Sequence, residues 1–147
     1  MSPDSGYSGT PLWKKLGVQP GMRVQVLHAE AGWRIPLDDG PEVEWTDAGP
    51  AGCILAFYRS ADAFLAELDD LGERIRPDGM LWAAWPRKAA GHVSDLNENV
   101  IRDAALLRGL VDVKVAAVDT DWSGLKLVWR RTNRRPSAAL SRRGRAV

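Results

Sequence analysis

Apolar positions along this chain fall into runs of two kinds, and their spacing predicts an alternation of strands and helices. MRVQVLH, Met22 to His28, alternates Val24, Val26 and His28 against Arg23, Gln25 and Leu27, the period of a strand. CILAFYR, from Cys53, and MLWAAW, from Met80, are continuous apolar runs of strand length, as suits strands buried on both faces of a parallel sheet. Between them Phe64, Leu68, Leu71 and Ile75 recur at helical spacing behind Ser60, a hydroxyl N-cap, and Pro77-Asp78-Gly79 stops that helix. Pro86 ends the second apolar strand, because a residue without an N–H suits a strand end. Val100, Ile101, Ala104 and Leu107 predict a helix from Leu96 to about Arg108, with Asp95 and Glu98 as its capping box and Gly109 as its left-handed end. VDVKVAAVD and GLKLVWR then predict a hairpin around the loop Thr120 to Gly124. Near the N-terminus, Thr10 followed by Pro11 predicts the cap and first residue of a short helix to Leu16 that Gly17 ends, and Glu42 to Thr46 reads as a short edge strand.

In order, these are strand, edge strand, strand, helix, strand, helix and hairpin. That order specifies an α/β fold: a three-layer, Rossmann-like sheet, mostly parallel, with a C-terminal antiparallel hairpin. Residues 1–10 read as an extended arm, 11–130 as one domain and 131–147 as an Arg-rich, disordered tail.

Charge sharpens this division. The total is nearly balanced, 20 Lys+Arg against 19 Asp+Glu, yet residues 130–147 carry seven arginines and no acid. The body up to Trp129 therefore has 13 basic and 19 acidic side chains and is acidic overall, which argues against a wholly basic nucleic-acid domain. A lone Cys53 excludes an intramolecular disulfide, and two histidines are too few for a His-rich metal site, so no metal and no cofactor is expected. No apolar run approaches the roughly 20 residues that span a bilayer, and MSPDSGYSGT is polar where a signal peptide is basic and then apolar; a cytoplasmic protein without a membrane partner is expected.

Two resemblances add to this. CILAFYRSADAFLAELDDLGERIRPDGMLWAAWP, with the helix and hairpin after it, resembles the later half of a Rossmann-like methyltransferase over roughly residues 52–130. That resemblance implies a glycine-rich turn after the first strand, but the residues there are His28-Ala29-Glu30-Ala31-Gly32-Trp33, so a working S-adenosylmethionine site is not expected. GYSGTPL at 6–12 with KKLG at 14–17, LWAAWPRK at 81–88 and GLVDVKVAAVDTDWSGLKLV at 109–128 are together similar to a bacterial domain-of-unknown-function family of small proteins. This second resemblance implies the fold and its boundaries without naming a reaction.

In open α/β sheets ligands bind beyond the carboxyl ends of the parallel strands. By that rule Arg59, Trp85, Arg87, Lys88, Trp122 and Ser123 are the candidate ligand residues: guanidinium and ammonium groups pair with an anion while indoles stack on a flat ring, as for a nucleotide-like molecule. Asp121, near Asp119 across the hairpin loop, is the candidate acid or base, although Asp is also a turn residue. Trp122 placed at an exposed loop tip would point instead to a protein partner surface. His28 at a strand end reads as a general base or a satisfied imidazole. His92 reads as exposed, Cys53 as an inert core thiol, and neither Ser8 nor Ser123 has a nucleophile-elbow context. Arg134, Arg135, Arg142, Arg143 and Arg145 offer weak, salt-dependent contacts to nucleic-acid phosphates. The leading expectation is a non-catalytic binding or regulatory module. The alternatives are an enzyme acting on an anionic small molecule and nucleic-acid association through the tail.

Overall fold

The two continuous apolar runs form the centre of the sheet. In the computed structural model, which describes residues 10–37, 39–88 and 94–133, they are β3 (Cys53–Phe57) and β4 (Met80–Pro86), once α1 (Leu12–Leu16), β1 (Arg23–Leu27) and β2 (Glu44–Trp45) are counted before them. Every residue of β3 is buried, as a strand covered on both faces requires. The chain continues through α2 (Ala61–Arg74) between β3 and β4, then α3 (Glu98–Leu107), β5 (Leu110–Ala117), β6 (Trp122–Trp129) and a 3-10 turn at Arg131–Asn133. The sheet has six strands in the order β2-β1-β3-β4-β6-β5. β1, β2, β3 and β4 are mutually parallel, and β6 runs antiparallel to both β4 and β5, so it alone is reversed.

Side chains alternate across this sheet and build two cores. On one face α2 and α3 pack Phe64, Leu68, Leu71, Ile101 and Ala105 onto Ile54, Ala56, Leu81, Leu125 and Leu127. On the other, Leu16 of α1 and Ile35 of the coil after β1 cover Val24, Leu55, Phe57, Trp82 and Trp122. The second outer layer is thus α1 and coil, because no apolar helical period exists between β1 and β3 to supply a crossover helix.

Three local expectations are corrected by the tertiary structure. Thr10 does not cap α1: Pro11, extended at ψ 155°, occupies the cap position without any side-chain cap, and its carbonyl accepts the Lys14 and Lys15 amides. Asp95 does not cap α3. Its Oδ1 accepts the Ala61 amide at 2.8 Å and so serves the first turn of α2, while Asn97 caps α3 by accepting from Val100. Glu98, released from the capping box, pairs with Arg102 one turn on. The hairpin loop is also shorter than Thr120 to Gly124, because Trp122, Ser123 and Gly124 pair with Pro86, Trp85 and Ala84 and belong to β6. Ser60 does cap α2 through the Ala63 amide, and Gly17 and Gly109 end their helices at φ 88° and 90°.

Candidate functional site at the β1–β3 switch point

From β1 the chain moves outward to β2, and from β3 it moves the other way to β4, so the sheet order reverses between β1 and β3. The carboxyl ends of two such strands diverge and leave a crevice. Here the crevice has a volume of about 430 Å³ and is lined by His28, Phe57, Tyr58, Arg59, Glu67 and Trp122, with Ala63 and Ala66 of α2 at its side.

Each side chain is placed by its element. His28 follows the last residue of β1 at φ 65°, the only non-glycine residue with positive φ among those described. A bulky residue held in that region costs energy that the surroundings must offset, and such residues concentrate at functional sites. Its Nε2 lies 2.8 Å from Oε1 of Glu67, on the second turn of α2, and the same oxygen accepts the Tyr58 hydroxyl at 2.5 Å. Burial of Glu67 tends to raise its pKa. The hydrogen bonds from Tyr58 and His28, with the charges of His28 and Arg74, outweigh that and hold it below the ordinary 4.5. An ionised carboxylate only accepts, so Nε2 of His28 carries the proton and Nδ1 is left without a hydrogen bond among the described residues. Tyr58 is pushed up, first by burial and then by its bond to Glu67, and stays a neutral donor. Across the crevice the Arg59 guanidinium lies 5.0 Å from the centroid of the Trp122 ring, and Trp122 meets Phe57 edge-on at 5.0 Å.

Because the folded-state pKa of Glu67 is depressed, the stability it contributes is present above the unfolded pKa and is lost as pH falls through the folded one. In denaturant titrations, wild type should exceed Glu67→Gln in stability at pH 7, and this difference should shrink steadily as the pH falls below about 4.5. A difference that stays constant down to pH 3 would refute this account of the Tyr58–Glu67–His28 cluster.

The residues expected from sequence are divided by the sheet. Arg59 and Trp122 line the crevice. Trp122 is buried, 6% exposed, and so is not an exposed loop-tip residue; β6 pairing draws it into the core. Trp85 packs against the α2–α3 core on the other face, where Ser123, its cross-strand partner, also points. Arg87 binds the hairpin loop instead, its amide donating to the Asp121 carbonyl and its guanidinium to that of Thr120. Neither Lys88 nor Asp121 lines the crevice. Asp119 organises the turn: Oδ1 accepts the amides of Asp121 and Trp122, and Oδ2 accepts Nε1 of Trp33 at 3.3 Å. Cys53 is fully buried and its pKa is pushed up to about 12, mainly by that burial, which leaves it an inert thiol. Ser8, His92 and the arginines from Arg134 onward lie outside the described residues. Among those described, no group of three or more potential metal ligands converges, and no helix is long and apolar enough to cross a membrane.

Tyr58 and Glu67 line the candidate crevice and are not among the residues expected from sequence. Glu67 looks like any solvated glutamate on α2, but it stands on the second turn of the helix that leaves β3, and that turn borders the strand-end crevice.

The profile of a protein family of unknown function, DUF3052, matches residues 14–131. The chain belongs to the DUF3052 family. That match covers the whole sheet and both long helices of this DUF3052 protein, crevice included. No curated protein sequence matches it. Its fold is similar to that of magnesium protoporphyrin IX methyltransferase from Synechocystis PCC 6803, solved with bound SAM, at TM-score 0.55 and 15% identity over 80% of this chain and 74% of that one. A ribosomal protein L11 methylase from Lactobacillus delbrueckii subsp. bulgaricus aligns at TM-score 0.53 and 11% identity, over 82% and 76% of the two chains. A SAM-dependent methyltransferase from Aquifex aeolicus aligns at 0.53 and 15%, over 79% and 86%. At these identities the likeness is one of fold: this DUF3052 chain has a methyltransferase-like Rossmann architecture.

Proposed function

We propose that this chain is a non-catalytic binding or regulatory module of the methyltransferase fold, one that takes a small ligand at the β1–β3 crevice and has no working S-adenosylmethionine site. The observation that carries this reading is the turn after β1. A dinucleotide or S-adenosylmethionine cradle relies on glycines that let the backbone approach the cofactor. Here the turn begins with His28 at φ 65°, continues through Ala29, Glu30 and Ala31, and has only Gly32 as a glycine. Trp33, next along, packs edge-on against Phe57 at 5.0 Å and hydrogen-bonds Asp119 of the hairpin loop, so an indole bridges the turn and the loop where a cofactor needs open backbone. These residues do not fit the cofactor.

Isothermal calorimetry with S-adenosylmethionine and S-adenosylhomocysteine should give no saturable heat up to ~1 mM, a binding free energy weaker than about −4 kcal/mol. Saturable micromolar binding would end this reading. A thermal-shift screen of metabolites should find its hits among molecules that perturb the crevice, since a ligand selective for the native state raises Tm.

The alternative, an enzyme acting on an anionic nucleotide-like molecule in the same crevice, is favoured by one observation. The His28–Glu67 pair orients an imidazole whose Nδ1 is unengaged, the arrangement a general base requires. Turnover of a screening hit that is lost in His28→Gln would establish it over the binding module.

A further inference from the structure

The crevice also has the features to specify what it binds. We propose that it takes a flat aromatic ring bearing a single carboxylate, with the carboxylate on Arg59 and the ring against the wall formed by Phe57 and Trp122. This rests on the binding reading above and adds the chemical class of the ligand.

Size and lining come first. A volume of about 430 Å³ lies within the range of small-molecule sites, and three aromatic side chains with two alanines make most of its wall apolar. Charge then decides the polar end of the ligand. Among the described residues Glu67 is the only carboxylate lining the crevice, and its Oε1 is engaged by both Tyr58 and His28. Arg59 is exposed and has no carboxylate paired with it among the described residues; its guanidinium lies 5.0 Å from the Trp122 ring centroid, and its carbonyl accepts the Ser94 hydroxyl. A guanidinium beside an indole offers an anion two parallel N–H donors and a conjugated ring a stacking partner, the pair of contacts an aryl carboxylate uses.

A phosphate would favour a different site, the free amides at a helix N-terminus. At the start of α2 two of those donors are engaged, the Ala61 amide by Asp95 and the Ala63 amide by Ser60. With those two amides engaged, the anion is left to the Arg59 guanidinium, whose fork donates to carboxylate and phosphoryl oxygens alike, so competition with inorganic phosphate separates the two classes.

The test uses indole-3-carboxylate and its neutral isostere indole-3-carboxamide, titrated into the full chain and followed by ligand-observed NMR and by the His28 amide resonance. The carboxylate should bind at least about 10-fold more tightly than the amide, about 1.4 kcal/mol, with a saturable shift at His28. In Arg59→Gln the ratio should fall to near 1, Arg59→Lys should restore part of it, and Lys114→Gln, which removes a charge on the β5 edge, should leave it unchanged. Thermal unfolding of each variant checks that it is folded. Failure of the carboxylate to bind, a preference that survives in Arg59→Gln, or equal displacement by inorganic phosphate would overturn the ligand class. Competitive displacement by micromolar S-adenosylmethionine would instead overturn the binding reading on which it rests, so the two failures are distinguishable.

Discussion

Trp82→Ala should cost about 3–5 kcal/mol of unfolding free energy, the range for deleting a large buried aromatic side chain, and with it much of the stability of a domain this size. Trp82 has no solvent exposure and sits mid-β4, paired with Leu55 of β3 and Lys126 of β6. Its ring fills the face of the sheet that α1 and coil cover, where no long helix can move in to close a cavity. Its Nε1 also donates to the Leu16 carbonyl at 2.9 Å, which anchors the end of α1 to the sheet. Leaving that buried carbonyl without a partner adds roughly 1–3 kcal/mol. Trp82→Phe isolates this second contribution, because it keeps most of the apolar bulk and removes the donor. Guanidinium chloride titrations with an unchanged m-value would measure both. A loss under about 1 kcal/mol for Trp82→Ala would mean that this face is not a cooperative part of the core.

Gly79→Ala should also be strongly destabilising, for a steric reason. A Cβ at Gly79 would lie 2.8 Å from the Ile75 carbonyl oxygen, 2.9 Å from that of Ala51 and 3.1 Å from that of Gly52. All three obstacles are backbone, and two carry ladder or turn hydrogen bonds, Gly79 amide to Ile75 and Met80 amide to Gly52. None can rotate aside as a side-chain tip would, so relief requires moving the entry to β4 away from β3. Overpacking of this kind costs about 1–3 kcal/mol and at times more, and the upper end is expected where three carbonyls are fixed at once. Equilibrium unfolding is the measurement. A near-neutral result would show that the β3–β4 entry has slack that these distances deny.

The candidate site shows why local reading reaches only part of a functional constellation. Arg59 and Trp122 were legible because strand ends are legible: an apolar run stops, and the next polar or aromatic residues must lie near the carboxyl edge. Arg87, Trp85 and Ser123 satisfied the same rule and yet left the crevice. β6 inserts beside β4, pulls Trp122 into one core and turns Trp85 and Ser123 to the opposite face, while the hairpin loop occupies Arg87. Whether a residue at a strand end faces the crevice depends on register and on how far the pairing runs, and the β4–β6 ladder continues in one register as far as Pro86 and Trp122. Glu67 and Tyr58 carry no local mark at all, since their roles arise from a contact with His28 that spans 39 residues of chain for Glu67 and a ring approach of 5.3 Å for Tyr58. The capping error at Asp95 has the same origin. Its carboxylate found an amide on the neighbouring helix, at the start of α2, and Asn97 took the cap of α3.

The periodicity and the stops of the sequence by themselves determined the element order, the two buried central strands, the Ser60 cap and the absence of a glycine cradle after β1. Those properties depend on the burial of short segments and on the backbone preferences of single residues, which neighbouring positions already specify. Only the tertiary structure decided the strand order, the coil layer that replaces a crossover helix, and the convergence of His28, Tyr58, Glu67, Arg59 and Trp122 on one crevice. These depend on which side chains meet after distant segments pack, and a contact between strands and helices far apart in the chain leaves no periodic trace along it.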